Sequence, residues 1–184
     1  MNHAATGTTS TNLTIADLQA RIRDIPDFPQ PGILFRDITP LLADASSFQA
    51  VVDTMAAPFR DQVDVVVAIE SRGFILGAPI AYALGAGLAL VRKPGKLPFS
   101  VEAEAYTLEY GENTLEIHRD AVTPGQRVLL VDDLLATGGT VRAAANLVSR
   151  LGGEITGVCV LAELSALNGR ALLTDLPVMS FIVY

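Results

Sequence analysis

Four short runs are apolar at nearly every consecutive position: Val63 to Ile69, Leu88 to Arg92, Val128 to Val131 and Ile155 to Leu161. A strand with one face in water alternates polar and apolar residues, so runs of this kind need cover on both faces. Helix-length segments lie between them, Phe74 to Leu84 and Thr140 to Leu151, the second closed by Gly152-Gly153. This alternation specifies an α/β fold: a central, mostly parallel sheet flanked by helices, with one more strand near Val178 to Val183. Upstream, Thr14-Ile15-Ala16-Asp17 has the form of a capping box opening a helix to about Asp24, and Ser46 or Ser47 is placed to cap a second through Val51, Val52 and Met55. From Lys93 to Thr123 the pattern changes to shorter alternating pieces rich in Glu and carrying Tyr106 and Tyr110, which reads as an excursion from the sheet, a flexible loop or hairpin.

With 184 residues the chain is long enough to bury roughly 70% of its unfolded surface without a disulfide or structural metal. Residues 1–12 read as a polar tail and 13–184 as a single domain. One stretch needs testing as a membrane span, the uncharged run from Gly73 to Val91. Nine of its nineteen residues are Gly or Ala, Pro79 lies inside, and Gly85-Ala86-Gly87 splits it into a helix-length and a strand-length piece, so a buried helix and strand explain it better. With one Cys and no export signal at the N-terminus, a reducing cytosol is the expected compartment. Thirteen basic against twenty acidic residues give a net charge of −7, opposite to the footprint of a nucleic-acid binder. An anionic ligand therefore has to be held by a local site.

The segment Arg127 to Thr140, RVLLVDDLLATGGT, supplies one. A buried strand ends in Asp132 and Asp133, and a turn through Ala136, Thr137, Gly138 and Gly139 opens a helix at Thr140. In open α/β sheets ligands bind beyond the carboxyl ends of the strands, where a carboxylate pair accepts hydrogen bonds from vicinal hydroxyls such as those of a ribose. Glycines let backbone N–H groups converge on a phosphate at the positive end of the helix, and Thr137 and Thr140 add hydroxyl donors. No Lys follows at the Walker A spacing, and the GxGxxG fingerprint is absent. Taken alone, the string also fits a structural turn with one solvated carboxylate.

A second apolar strand ends in Glu70-Ser71-Arg72-Gly73. Arg72 can grip a phosphate with two N–H groups and Gly73 permits close backbone approach, while the plainer alternative is an Arg72–Glu70 pair in a loop. Arg92-Lys93-Pro94-Gly95-Lys96 gathers three cations in five residues of an acidic chain, and Lys93 and Lys96 become candidates for a pyrophosphate. His118, His3 and Cys159 have neither metal-ligand nor triad company.

The whole of Val128 to Thr140 resembles the 5-phosphoribosyl-1-diphosphate (PRPP) binding motif of type I phosphoribosyltransferases. Four further strings, in family order from about Leu13 onward, make the chain similar to the adenine phosphoribosyltransferase family: Phe28 to Ile38, Ser71 to Phe74, Arg92 to Pro98 and Tyr106 to Gly111. The resemblance implies an Mg²⁺-dependent transfer of the phosphoribosyl group from PRPP to adenine, giving AMP and pyrophosphate in purine salvage, by a homodimer; composition and charge add the expectation of a cytoplasmic protein that binds no nucleic acid or membrane. It implies that Asp132 and Asp133 hold the ribose hydroxyls, that Ala136 to Thr140 wrap the 5′-phosphate, and that Ser71, Arg72, Gly73, Lys93 and Lys96 serve the pyrophosphate. Phe35 and Leu164 would sandwich the purine while the backbone of Leu34 and Arg36 reads its edge. Glu109 would move a proton at the base, with Tyr106 and Tyr110 sealing a lid. Mg²⁺ keeps waters and leans on substrate oxygens, so no dedicated carboxylate cage is expected. Three rivals remain: a phosphoribosyltransferase for another base, a non-catalytic PRPP sensor, and a receiver-type module with Asp132-Asp133 as phospho-acceptor. The last leaves the glycine turn and the two cationic loops unexplained.

Overall fold

The computed structural model describes residues 13–108 and 111–184. Glu109, Tyr110 and the 1–12 segment lie outside the described residues. The chain divides into two compact units, Met1–Val51 and Val52–Tyr184.

In the first unit, helix α1 (Ile15–Gln19) opens on the expected capping box, Asp17 N donating to Thr14 Oγ1 at 3.2 Å and Thr14 N to Asp17 Oδ2 at 2.8 Å. It stops well short of Asp24, because Arg23–Pro26 forms strand β1, antiparallel to β2 (Leu34–Asp37). The Pro-rich connector turns back through Asp27 at φ 58° and Gly32 at φ 87°. Helix α2 (Thr39–Ala43) follows, and α3 (Ala45–Ala56) continues into the second unit. The start of α3 is capped by Asp44 rather than Ser46 or Ser47: Ser47 donates to Asp44 Oδ1 from its amide at 2.8 Å and its hydroxyl at 2.6 Å.

The second unit holds β3 (Val65–Ile69), α4 (Arg72–Leu84), β4 (Gly87–Val91), β5 (Val101–Leu108), β6 (Gly111–His118), β7 (Arg127–Leu135), α5 (Gly139–Arg150), β8 (Glu154–Glu163) and β9 (Val178–Val183). Five of these strands form one parallel sheet in the order β4-β3-β7-β8-β9. All five residues of β3 are buried, as a strand covered on both faces requires. Gly77 lets α4 lie directly on β3, since a Cβ there would sit 2.5 Å from that of Ala68. The run from Gly73 to Val91 is thus α4 and β4, and among the described residues no helix is long and apolar enough to cross a membrane.

The excursion after Lys93 is the β5/β6 hairpin, whose Leu115 and Ile117 join the same core as Val67, Ile69, Leu130 and Leu147. Its polar edge binds α5 through Glu104, which accepts from Asn146 at 2.7 Å and from Arg150. Strand β7 runs four residues beyond Val131, through both aspartates to Leu135, pairing with β8 as far as Glu163.

Candidate active site

Strands β3 and β7 are parallel neighbours, Ala68 level with Val131, so their carboxyl ends open side by side. A cleft of about 320 Å³ lies there, lined by Glu70, Ser71, Arg72, Lys93, Asp132, Asp133, Leu134 and Thr140. The β3 side enters through a cis Glu70–Ser71 peptide into the first turn of α4. Gly73 is essential to that packing, because a Cβ would stand 2.9 Å from the Val131 carbonyl and 3.0 Å from Asp132 Oδ1.

The charges in the cleft are arranged in two ladders. Arg72 Nε donates to Asp133 Oδ2 at 2.6 Å, while Glu70 Oε2 accepts from Arg92 Nε at 3.2 Å and from the Lys93 amide at 2.9 Å. Arg72 therefore pairs across to β7, not with its neighbour Glu70. Burial works against ionisation of Glu70, yet the Lys93 amide and Arg92 outweigh it and hold its carboxyl below the usual range. Arg92 also stacks over Phe74, 5.8 Å from the ring centroid, and donates to the Lys96 carbonyl at 3.1 Å, bracing the turn that presents Lys93. The Lys96 side chain is exposed and does not line the cleft. Asp132 Oδ1 accepts from the Asp133 amide at 2.8 Å. Burial first, and then the charge of Asp133, push the Asp132 carboxyl well above the ordinary carboxylate range.

Beside the cleft lies a smaller hollow of about 60 Å³, lined by Asp132, Leu134, Leu135, Ala136, Thr137, Gly138, Thr140 and Val141. Gly138 adopts φ 85° and Gly139 begins α5, so the turn delivers its amides to the amino end of a twelve-residue helix. From the hairpin, Tyr106 reaches this turn and accepts a hydrogen bond from Thr140 Oγ1 at 3.3 Å.

Known proteins resemble this chain in sequence and in fold. The model of the phosphoribosyl transferase domain matches residues 41–175. The adenine phosphoribosyltransferase of Myxococcus xanthus (strain DK1622) is 60% identical over 156 residues, spanning 84% of this chain and 85% of that protein. The chain belongs to the adenine phosphoribosyltransferase family. The solved adenine phosphoribosyltransferase of Thermoanaerobacter pseudethanolicus shares 49% identity at a TM-score of 0.91, over 93% of this chain and all of that one (100%). That of Saccharomyces cerevisiae, complexed with an imino-altritol bisphosphate and adenine, shares 37% at 0.86, over 91% and 97%. The parallel five-stranded sheet is the type I phosphoribosyltransferase fold read from the sequence.

In this phosphoribosyltransferase the cleft and hollow bring together Ser71, Arg72, Lys93, Asp132, Asp133, Ala136, Thr137, Gly138 and Thr140. Leu164 follows β8 directly, half-buried, its amide donating to the Leu135 carbonyl at 2.9 Å. Leu34, Phe35 and Arg36 lie on β2 of the first unit, where Phe35 meets Phe28 edge-on at 5.1 Å and Arg36 pairs with Asp24. The bracing role of Arg92 and its partnership with Glu70 had no local signature, since 22 residues separate the two.

Proposed function

We propose that the cleft at the ends of β3 and β7 binds PRPP and there carries the reaction of the family, in which adenine displaces pyrophosphate from the anomeric carbon to give AMP. As an adenine phosphoribosyltransferase the chain is a pentosyltransferase of purine salvage. One observation carries the assignment of the site: cationic Arg72 and Lys93 share a single polar cleft with Asp132 and Asp133, and the glycine turn adjoins it through Asp132, Leu134 and Thr140.

The displacement develops positive charge on the ribose and negative charge on the leaving group. In this reading Asp132 and Asp133 accept from the ribose hydroxyls, and the amides of residues 136–140 with the Thr137 and Thr140 hydroxyls hold the 5′-phosphate. Ser71, Arg72, Gly73 and Lys93 receive the pyrophosphate, Arg72 by exchanging its bond to Asp133 for one to the ligand, and Lys96, outside the cleft on the Lys93 turn, adds positive potential. Phe35 and Leu164 are the purine contacts that the resemblance implies, with the backbone of Leu34 and Arg36. Glu109 exchanges a proton with the purine, and Tyr106 and Tyr110 exclude water from PRPP. The proposal takes residues 13–184 as one catalytic domain, in a cytoplasmic homodimer.

The carboxylates of the cleft are already engaged, Asp133 by Arg72 and Glu70 by Arg92 and the Lys93 amide. That donor set suits Mg²⁺ carried on substrate oxygens and waters, with the cleft carboxylates as supplementary ligands. When bound, the ion supplies neutralisation of the pyrophosphate charge.

The test is pyrophosphate release from PRPP and Mg²⁺ with adenine, hypoxanthine, orotate or uracil in turn. Release with adenine alone is expected; release only with another base, or none at all, refutes the proposal. Glu109→Gln should lower kcat about 10²-fold or more while the Kd for PRPP stays within twofold. An unchanged kcat removes Glu109 from the mechanism.

A further inference from the structure

The glycine turn is backed by a second glycine that no local motif announces. A Cβ on Gly169 would overlap the Ala136 carbonyl and lie 3.0 Å from the Gly138 amide nitrogen, and one on Gly138 would overlap the Gly169 carbonyl. The two backbones therefore touch, with nothing between them. Gly169 begins a short 3₁₀ turn (Gly169–Leu172), entered through Asn168 at φ 50°. A turn of this length has little stability of its own, so what fixes it must come from outside.

Arg170 provides that fixation. Its Nε donates to Glu163 Oε1 and Oε2 at 2.9 and 3.0 Å, Nη2 donates to Glu163 Oε2 and Ser180 Oγ at 2.8 Å each, and Nη1 donates to the Val178 carbonyl at 3.0 Å. Ser180 Oγ in turn donates to Glu163 Oε2 at 2.5 Å. Glu163 is only 6% exposed, and its bonds from Arg170 hold its carboxyl below the usual range. One guanidinium thus ties the 3₁₀ turn to the ends of β8 and β9 at once, which only the planar fork of an arginine can do. Arg142 braces the far end of the same segment, donating to the Leu172 carbonyl at 2.8 Å and to Asp175.

We propose that Arg170 is a positioning residue for the 5′-phosphate site: anchored by Glu163 and Ser180, it presses Gly169 against residues 136–138 and so sets the direction of the turn's amides. Arg170 itself lines neither the cleft nor the hollow. The proposal rests on the reading of residues 136–140 as the phosphate cradle, and the experiment separates the two.

Ribose 5-phosphate, as a probe of the cradle, and pyrophosphate with Mg²⁺, as a probe of the Arg72–Lys93 side, are titrated calorimetrically into the full chain and its variants. Arg170→Leu should weaken ribose 5-phosphate about tenfold and leave pyrophosphate within twofold, a split that general loss of structure does not produce. Arg170→Lys, keeping the charge but not the fork, should recover only part of the loss. Gly169→Ala leaves the ion network intact and crowds the turn directly, and it should show the same split; it decides the matter if Arg170→Leu fails to fold. Normal ribose 5-phosphate affinity in folded Arg170→Leu, or in Gly169→Ala, overturns the proposal. Thr137→Ala and Thr140→Ala are the control: if they too bind ribose 5-phosphate normally, the cradle reading falls and takes the positioning role with it; if they lose affinity while the Arg170 variant does not, only the positioning role falls.

Discussion

Arg72 and Asp133, 61 residues apart, are joined by a 2.6 Å hydrogen bond from Nε to Oδ2 that ties the first turn of α4 to β7 inside the cleft. Asp133 is 6% exposed and stands beside a second carboxyl, so its charge is tolerated because a cation faces it. Arg72→Ala should destabilise the chain by about 1–3 kcal/mol, read from the urea midpoint, and raise the KM for PRPP. Arg72→Lys should restore part of the stability but less of the KM, because an ammonium cannot reproduce the guanidinium geometry. An unchanged midpoint in Arg72→Ala would show that the pair contributes nothing to the fold.

The same pair marks how far the sequence could be read. Strand β3 lies within two residues of its expected limits because burial on both faces leaves a signature in consecutive residues; α4 and β9 also fall within two residues of theirs, although only Ile182 of β9 is buried. The apolar run of β7 stops at Val131 and two aspartates suit a strand poorly, yet the strand continues to Leu135. What offsets the cost is Arg72 and the β8 ladder, and neither is adjacent in sequence. For the same reason the capping box alone predicts a helix to about Asp24: nothing local says that Arg23–Pro26 pairs with Leu34–Asp37. At the site, the aspartate pair and the glycine turn were legible as one string. The Glu70–Arg92 and Glu163–Arg170 partnerships were not, since the first joins the ends of two paired strands and the second exists only once the 3₁₀ turn folds back onto β8.

Asp64 and Arg127 give a pH dependence with a definite sign. Arg127 donates to Asp64 from its amide at 2.8 Å, from Nε at 3.2 Å and from Nη2 at 2.7 Å, and these bonds lower the Asp64 carboxyl from 3.8 to about 2. The unfolded chain then binds the proton more readily than the folded one. The contribution of Asp64 is present in full above about pH 4 and disappears as pH falls through about 2. Asp64→Asn should flatten the slope of Tm against pH in that window and leave it unaltered near pH 7. An identical slope in the variant would contradict the assignment.

Helix α4 is seated on β3 by an absence of atoms. Gly77→Ala gains about 1 kcal/mol of helix propensity. Against that, its Cβ would sit 2.5 Å from that of Ala68 in a fully buried layer, and overpacking of this kind costs about 1–3 kcal/mol. Net destabilisation is expected in urea unfolding, and Ala68→Gly in the same chain should relieve it, giving a favourable coupling between the two substitutions. A more stable Gly77→Ala would mean that the helix can move away freely.

Two glycines separate what the backbone needs from what the site needs. Gly85 ends α4 at φ 65° with no neighbour near its missing Cβ, so Gly85→Ala strains the backbone and nothing else. It should cost about 1 kcal/mol of stability and leave the KM for PRPP unchanged. Gly73 has no such positive φ, but its Cβ would meet the Val131 carbonyl at 2.9 Å and Asp132 Oδ1 at 3.0 Å. Neither atom belongs to a flexible chain end: one is mid-sheet backbone, the other a short carboxylate already bonded to the Asp133 amide. Room for the methyl must come from moving α4, and with it Arg72, away from β7. Gly73→Ala should therefore raise the KM for PRPP about tenfold or more. Steady-state kinetics on the two alanine variants reads the contrast directly, and equal KM values would mean that Asp132 and Arg72 need no fixed separation for PRPP to bind.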